Sequence, residues 1–308
     1  MRHLLSLVEV GPENLAGLVD RALAIANDSA AVPSLAGKTV GIYFKRTSTR
    51  TRSAFTVAAI KLGAVPIAYG PADLQILTGE TISDTARVLS GYLDALVVRT
   101  NESIDEMRAF ASQDEMAVIN AMSETEHPTQ AVADLVTIKE KFGRLSGVEI
   151  LYVGEGNNTA AALALAVSLT PGMRLAVATP EGYGLQSEVI ETARRLCRQS
   201  GSVVEQYHDL STHRGAFDVV YTTRWQTMGV AKPDPHWKEK FIPYRVTQEF
   251  MRRFSKNGST IFMHDLPAVR GDDVVNEVLD GPNSLAFRQA KHKLTSAMAV
   301  LSWCLDAD

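Results

Sequence analysis

The stretch Thr39-Val40-Gly41-Ile42-Tyr43-Phe44-Lys45-Arg46-Thr47-Ser48-Thr49-Arg50-Thr51-Arg52 decides how this chain reads. Its first half is an uninterrupted apolar run, as expected of a strand buried on both faces. Residues 51–62 carry a helical pattern, so Ser48 to Arg52 fall in a strand-to-helix turn. A helix start offers unpaired N–H groups and the positive end of a dipole. Hydroxyls and guanidinium groups concentrated there make an anion site, phosphate above all. A solvated helix start would account for one arginine or one serine, but not for Ser-Thr-Arg-Thr-Arg at a single turn.

Outward from this unit the pattern repeats. Strand-like runs lie at 65–69, 95–98, 117–120, 149–153, 174–179, 203–207, 218–221 and 260–263. Helical spacing occupies 12–27, 82–92, 103–112, 128–142, 158–169, 185–199, 246–254 and 284–305. Alternating strands and helices predict an α/β fold with two doubly wound parallel sheets, helices covering both faces. A length of 308 residues suits two domains of ordinary size, and 45% hydrophobic content suffices for two cores. The helix from Pro128 ends in Lys141 to Gly147, where charge and two glycines mark the expected boundary.

Composition narrows the partners. A formal charge of −4 points away from nucleic acid and from an anionic membrane surface. The two cysteines, Cys197 and Cys304, have no metal-ligand spacing and suggest a reducing compartment. No secretory leader is visible at Met1 to Val8, and no apolar run reaches the length of a membrane span. A cytoplasmic protein is expected.

Ligands of open parallel sheets sit beyond the carboxyl ends of the strands, and polar clusters follow six of them. Arg99 ends one strand; it reads equally as a donor to a carbonyl oxygen or as a solvated edge arginine. His127 and Gln130 share the first turn of the helix opened by Pro128, aimed at an oxyanion or serving as a capping-box variant. Gly154-Glu155-Gly156 lacks the third glycine of a dinucleotide loop, Thr159 standing there, and reads as a tight turn into a helix. His264-Asp265 has no second histidine at helical spacing, so no metal site is expected. Pro267 marks a candidate cis bond after Leu266.

Taken in order, Ser48-Thr49-Arg50-Thr51-Arg52, His127-Pro128-Thr129-Gln130 and His264-Asp265-Leu266-Pro267-Ala268-Val269-Arg270-Gly271 resemble the aspartate/ornithine carbamoyltransferase family. The resemblance runs along nearly the whole chain. It implies a carbamoyl phosphate domain (1–143, completed by a C-terminal helix 288–308) and an acceptor domain (144–287), joined by two interdomain helices. It further implies a homotrimer with shared active sites and no cofactor. By position, Ser48, Thr49, Arg50 and Thr51 would bind the phosphate. Arg99, His127, Gln130 and Thr51 would hold the carbamoyl group, with Leu266 contributing backbone and Lys293 replacing the family's arginine. Gln75 resembles a residue that ornithine-type members lend to a neighbouring subunit. Arg99, His127, Thr51 and Asp265 are the expected catalytic residues.

The acceptor pocket departs from both branches of the family. Asn157, Asn158, Thr227 and Met228 look ornithine-like, whereas Arg224 and Gln226 look aspartate-like. Thr223 stands where ornithine-type members carry an aspartate, and Asp265 where they carry a cysteine. Neither Thr78 nor Gly79 supplies the basic residue that both branches place in that loop. A buried aspartate needs a partner, and a second ammonium on the acceptor would supply one. The expected acceptor is therefore a short diamino acid such as 2,3-diaminopropionate, in a specialised biosynthetic pathway. Ornithine, or a non-catalytic carbamoyl phosphate binder, are the alternatives.

Overall fold

The computed structural model describes residues 1–29, 31–211, 215–226 and 231–307. In order the elements are α1 (Leu7–Ala26), β1 (Thr39–Phe44), α2 (Arg50–Lys61), β2 (Val65–Tyr69), α3 (Ile82–Ser90), β3 (Ala95–Arg99), α4 (Ile104–Phe110), β4 (Ala117–Met122) and α5 (Pro128–Phe142). There follow β5 (Glu149–Val153), α6 (Asn158–Leu169), β6 (Arg174–Ala178), α7 (Ser187–Ser200), β7 (Val203–Tyr207), β8 (Val219–Thr222), α8 (Trp237–Phe241), α9 (Gln248–Arg253), β9 (Ile261–His264), α10 (Asn276–Leu279) and α11 (Ala286–Cys304). Short 3₁₀ turns occupy Gln75–Thr78 and Ile242–Tyr244. The chain divides into two compact units, Met1–Val136 with Lys291–Asp308, and Thr137–Ala290.

The first unit holds a sheet in the order β2-β1-β3-β4, every pairing parallel. β3 and β4 are buried along their whole length, as continuous apolar strands between helices must be. Its core gathers Tyr43, Leu89, Leu96, Val98, Met107, Phe110 and Val118, with the Tyr43 and Phe110 rings edge to face at 6.1 Å. The C-terminal stretch returns to this unit: Arg21 donates to the Ala307 carbonyl at 2.8 Å and Arg2 pairs with Asp306 at 2.9 Å.

The second unit holds a sheet in the order β7-β6-β5-β8-β9, again all parallel. α6 is buried on every residue, which explains its lack of a polar face. Phe217, Phe250, Phe254 and Phe262 anchor the core on one side of the sheet.

Both sheets share one consequence. In the first, β1 leads outward to β2 while β3 leads the other way to β4; in the second the same reversal separates β5 from β8. Each unit therefore has a topological switch point, where adjacent strand ends face a common crevice.

Two expectations are corrected. The first helix starts at Leu7 rather than residue 12, because Ser6 caps a short first segment by accepting from the Val8 N–H. Gly11 (φ 78°, ψ 168°) then breaks the helix before Pro12 restarts it. The short helices α8 and α10 stand where no helix was expected, being too brief to show a period. Leu266–Pro267 is cis. No helix among the described residues is long and apolar enough to cross a membrane.

Candidate active site

Sheet order assembles the polar residues of the first unit. β1, β3 and β4 are neighbours, so the arginine-rich turn after β1, Arg99 at the end of β3 and His127 beyond β4 converge. α2 begins at Arg50, and Thr49 before it adopts helical angles without using its hydroxyl as a cap. The helix start thus keeps N–H groups that no capping side chain takes. Ser48 and Arg50 are half-buried and Thr49 exposed, so this turn opens to solvent, whereas Thr51 is only 5% exposed. Arg52 turns back: its guanidinium lies 5.3 Å over the Phe44 ring and donates to the Phe44 carbonyl. Lys45 is drawn away onto Glu102 and Glu106 at 3.0 and 2.7 Å.

Behind the turn lies a buried polar cluster. Arg99 donates to the Thr51 hydroxyl at 3.4 Å. Thr51, His127, Thr129, Gln130 and Lys293 line one small cavity, with Ala54 and Phe55 as its apolar wall. Burial, with the Lys293 ammonium and the Arg99 guanidinium nearby, holds the His127 pKa well below the ordinary imidazole value. The ring is therefore neutral at neutral pH and keeps one N–H to donate and one nitrogen to accept. Lys293 Nζ donates to Gln130 Oε1, and Gln130 Nε2 donates to Asp134 at 2.7 Å. The Gln130 amide thus reaches forward to Asp134 rather than back to the His127 backbone, as a capping box would require. Gln75 sits on its exposed 3₁₀ turn, accepting from the Thr78 hydroxyl at 2.8 Å, and is not among the cavity residues.

In the second unit the ends of β5, β8 and β9 are neighbours. Gly154 and Gly156 make the tight turn expected between β5 and α6. A Cβ on Gly156 would sit 2.3 Å from the Gly184 carbonyl carbon and 2.4 Å from the Leu185 nitrogen, so only glycine fits. Asn157 caps α6, its oxygen accepting from Thr159 and Ala160 N–H groups at 3.1 and 3.2 Å; Asn158 is buried in the first turn.

Asp265, just past β9, is the charged centre of this half. Thr159 and Thr223 donate their hydroxyls to its two carboxylate oxygens, each at 2.9 Å. Arg270 is engaged elsewhere, forking onto Asp280 at 2.5 and 2.8 Å. Leu266 has φ 53° and donates its N–H to His264 Nδ1 at 2.8 Å, while His264 Nε2 faces Asp273 at 3.2 Å. Arg224 and Gln226 are half-buried at the end of β8; Thr227 and Met228 lie outside the described residues.

Three participants escaped sequence reading. Asp134 carries no motif of its own, yet it accepts from the Gln130 amide at 2.7 Å. Thr159 registered only as an absent glycine, yet it holds Asp265. Lys232 pairs with Glu155 and lies 4.6, 5.2 and 5.1 Å from the Tyr183, Trp237 and Phe241 ring centres. The three rings lie 49, 5 and 9 positions from Lys232 in sequence, and no local motif announces a cation–π cluster of this kind.

Comparison with known proteins fits this arrangement. Residues 2–140 match the aspartate/ornithine carbamoyltransferase carbamoyl-P binding domain, and residues 146–304 match the family's Asp/Orn binding domain. The chain belongs to the aspartate/ornithine carbamoyltransferase family. An ornithine carbamoyltransferase of Halalkalibacterium halodurans is 38% identical over 98% of this chain and 94% of its own length. One from Caldicellulosiruptor saccharolyticus is 40% identical over 98% and 97%. Among solved structures, the ornithine carbamoyltransferase of Pyrococcus furiosus superposes with a TM-score of 0.89 at 37% identity, covering 98% of this chain and 96% of that one. The anabolic enzyme of Campylobacter jejuni gives 0.90 at 30% identity over 99% of both chains. Both of the family's domains are thus matched, each with an all-parallel sheet.

Proposed function

We propose that this carbamoyltransferase moves the carbamoyl group of carbamoyl phosphate to the side-chain amine of ornithine. The observation that carries the transfer is the buried cluster of Thr51, Arg99, His127, Gln130 and Lys293 behind an uncapped helix start. Phosphate docks at the start of α2 with Ser48, Thr49, Arg50 and Thr51. The carbamoyl oxygen faces Arg99, His127 and Thr51. A neutral amine attacks the carbonyl carbon, and charge gathers on that oxygen as the centre becomes tetrahedral. Fixed donors favour this state over the ground state. The C–O bond to phosphate then breaks, and phosphate leaves with the electron pair and takes the amine proton. Neutral His127 acts as a hydrogen-bond donor throughout. Ornithine leads as acceptor because the full-length relatives bear that name.

A second reading, a shorter diamino acid such as 2,3-diaminopropionate, is favoured by Asp265. Its carboxylate stands at the end of β9 between two threonine hydroxyls, while Thr223 offers no carboxylate at the end of β8. Arg224, Gln226, Asn157, Asn158, Thr227 and Met228 complete the acceptor set in both readings. Incubation with carbamoyl phosphate and a panel of ornithine, aspartate, putrescine and short diamino acids, with mass identification of the ureido product, separates them. Ureido product from ornithine alone supports the first reading; a preference for 2,3-diaminopropionate replaces it with the second.

A trimer belongs to the same proposal. Edge strand β2 exposes Val65 (60%) and Ile67 (39%), and Ile60 and Leu77 nearby in sequence are 58% and 69% exposed. An apolar sheet edge of this kind is normally covered. If Gln75 serves a neighbouring subunit, mixing Gln75→Ala and His127→Ala chains restores activity; a monomer in light scattering, or no complementation, contradicts it.

A further inference from the structure

We infer that Asp134 is a positioning residue that sets the orientation of the Gln130 amide and thereby lets the site tell a carbamoyl from an acetyl group. The inference rests on the proposed use of carbamoyl phosphate. It starts from a chain of three buried side chains, Asp134 (0% exposed), Gln130 (1%) and Lys293 (9%). An amide side chain can ordinarily be turned end for end with little penalty. Here it cannot. An ammonium only donates and an ionised carboxylate only accepts. Lys293 must therefore meet the amide oxygen and Asp134 the amide nitrogen, as they do. Gln130 and Asp134 lie four apart on α5 and share one face of the helix, so the helix itself sets the spacing.

This orientation has a chemical consequence. Gln130 and Lys293 line the cavity with Thr51 and His127. The Gln130 oxygen has two lone pairs, one taken by Lys293 and the other left to accept from a ligand. A carbamoyl group presents an NH₂, which only donates; an acetyl group presents a methyl of similar size, which does neither. A fixed acceptor in a buried cavity rewards the first and is left unsatisfied by the second, the kind of polar recognition that discriminates strongly. Were the amide to flip, its NH₂ would face the carbamoyl NH₂, donor against donor. Asp134 prevents that flip without touching the ligand.

Four proteins test this: wild type, Asp134→Asn, Gln130→Glu and Gln130→Glu/Asp134→Asn. Each is measured for thermal midpoint, for kcat and KM with carbamoyl phosphate, and for inhibition by acetyl phosphate. Asp134→Asn frees the amide to turn. The expected result is a folded protein whose kcat/KM falls about 10- to 100-fold and whose affinity ratio of carbamoyl to acetyl phosphate falls at least tenfold. Gln130→Glu alone brings two carboxylates together and also loses activity. The double variant again presents an oxygen to Lys293 and a donor to it from residue 134, and is expected to recover the ratio to within about fivefold of wild type. An Asp134→Asn protein with an unchanged ratio overturns the inference even if its stability drops, because a purely structural role moves stability and not discrimination. So does a double variant no better than either single one. Absence of carbamoyl transfer and of carbamoyl phosphate affinity in the wild type is a different failure, removing the proposed function and this inference with it.

Discussion

Two strand-end sites, one in each unit, use the same architectural device but hold their charges differently. In the first unit a guanidinium, an ammonium, an imidazole and an amide are packed behind the α2 turn, none more than 9% exposed, and hydrogen bonds run from Arg99 to Thr51 and from Lys293 through Gln130 to Asp134. In the second, Asp265 is held by hydroxyls from Thr159 and Thr223, which lie 106 and 42 residues away in sequence. Under the proposed function the first set of groups meets a fixed anion and carbonyl, and the second meets the acceptor through one carboxylate whose position would tune it. A family can therefore keep its phosphate chemistry and vary its acceptor, provided the two sets of residues sit on separate strand ends.

The largest effect is expected at His127. His127→Ala is expected to lower kcat by about 10²–10³, the usual loss for one donor to a developing oxyanion, with KM for carbamoyl phosphate changing far less. Near-native turnover would reduce His127 to a helix-start residue.

Next comes Glu126, its neighbour. Burial pushes this carboxyl up to about 7 from 4.5, even though it accepts the Leu7 N–H at 2.9 Å and a Ser6 hydrogen bond, with Glu9 adding to the rise. A raised folded-state pKa means the proton is held more tightly in the fold. The contribution is complete below the unfolded value and is lost as pH rises through about 7. Glu126→Gln should remove that slope and gain on wild type by up to about 3 kcal/mol between pH 5 and 8. Thermal midpoints that run parallel for the two proteins would contradict it.

Arg50→Ala is expected to weaken carbamoyl phosphate by about 1.5–3 kcal/mol, the worth of a charge-assisted hydrogen bond at a helix start, without unfolding the protein. Calorimetry reads it directly, and unchanged affinity would place the phosphate elsewhere. The smallest effect concerns the second site. Asp265→Cys should leave carbamoyl phosphate binding intact and weaken the preferred acceptor by about 1–3 kcal/mol. Equal efficiency and equal preference in the variant would mean that Asp265 serves partners within the protein and not the acceptor.

Much of the first site was legible because its motif is local: strand, turn and helix follow one another, and Pro128 announces the start of α5 (Pro128–Phe142), which matches the sequence expectation of 128–142. α6 was equally legible from its continuous apolar run at 158–169. What stayed hidden depends on distance. The partners of Asp265 come from two other strand ends, and which hydroxyl meets it follows from sheet order, not spacing. The early start of α1 was concealed because the helical spacing begins only at residue 12, past the kink at Gly11. Asp134 was concealed because one aspartate on a helix ordinarily faces water.

The most direct measurement is the initial rate of phosphate release from carbamoyl phosphate with and without amine, with ureido product quantified in the same samples. The account predicts release that depends on ornithine or a shorter diamino acid, one phosphate for each ureido product, and is largely abolished in His127→Ala. Carbamoyl phosphate that binds, but whose phosphate release is indifferent to every amine and yields no ureido product, would contradict it and leave a binding homologue without transferase activity.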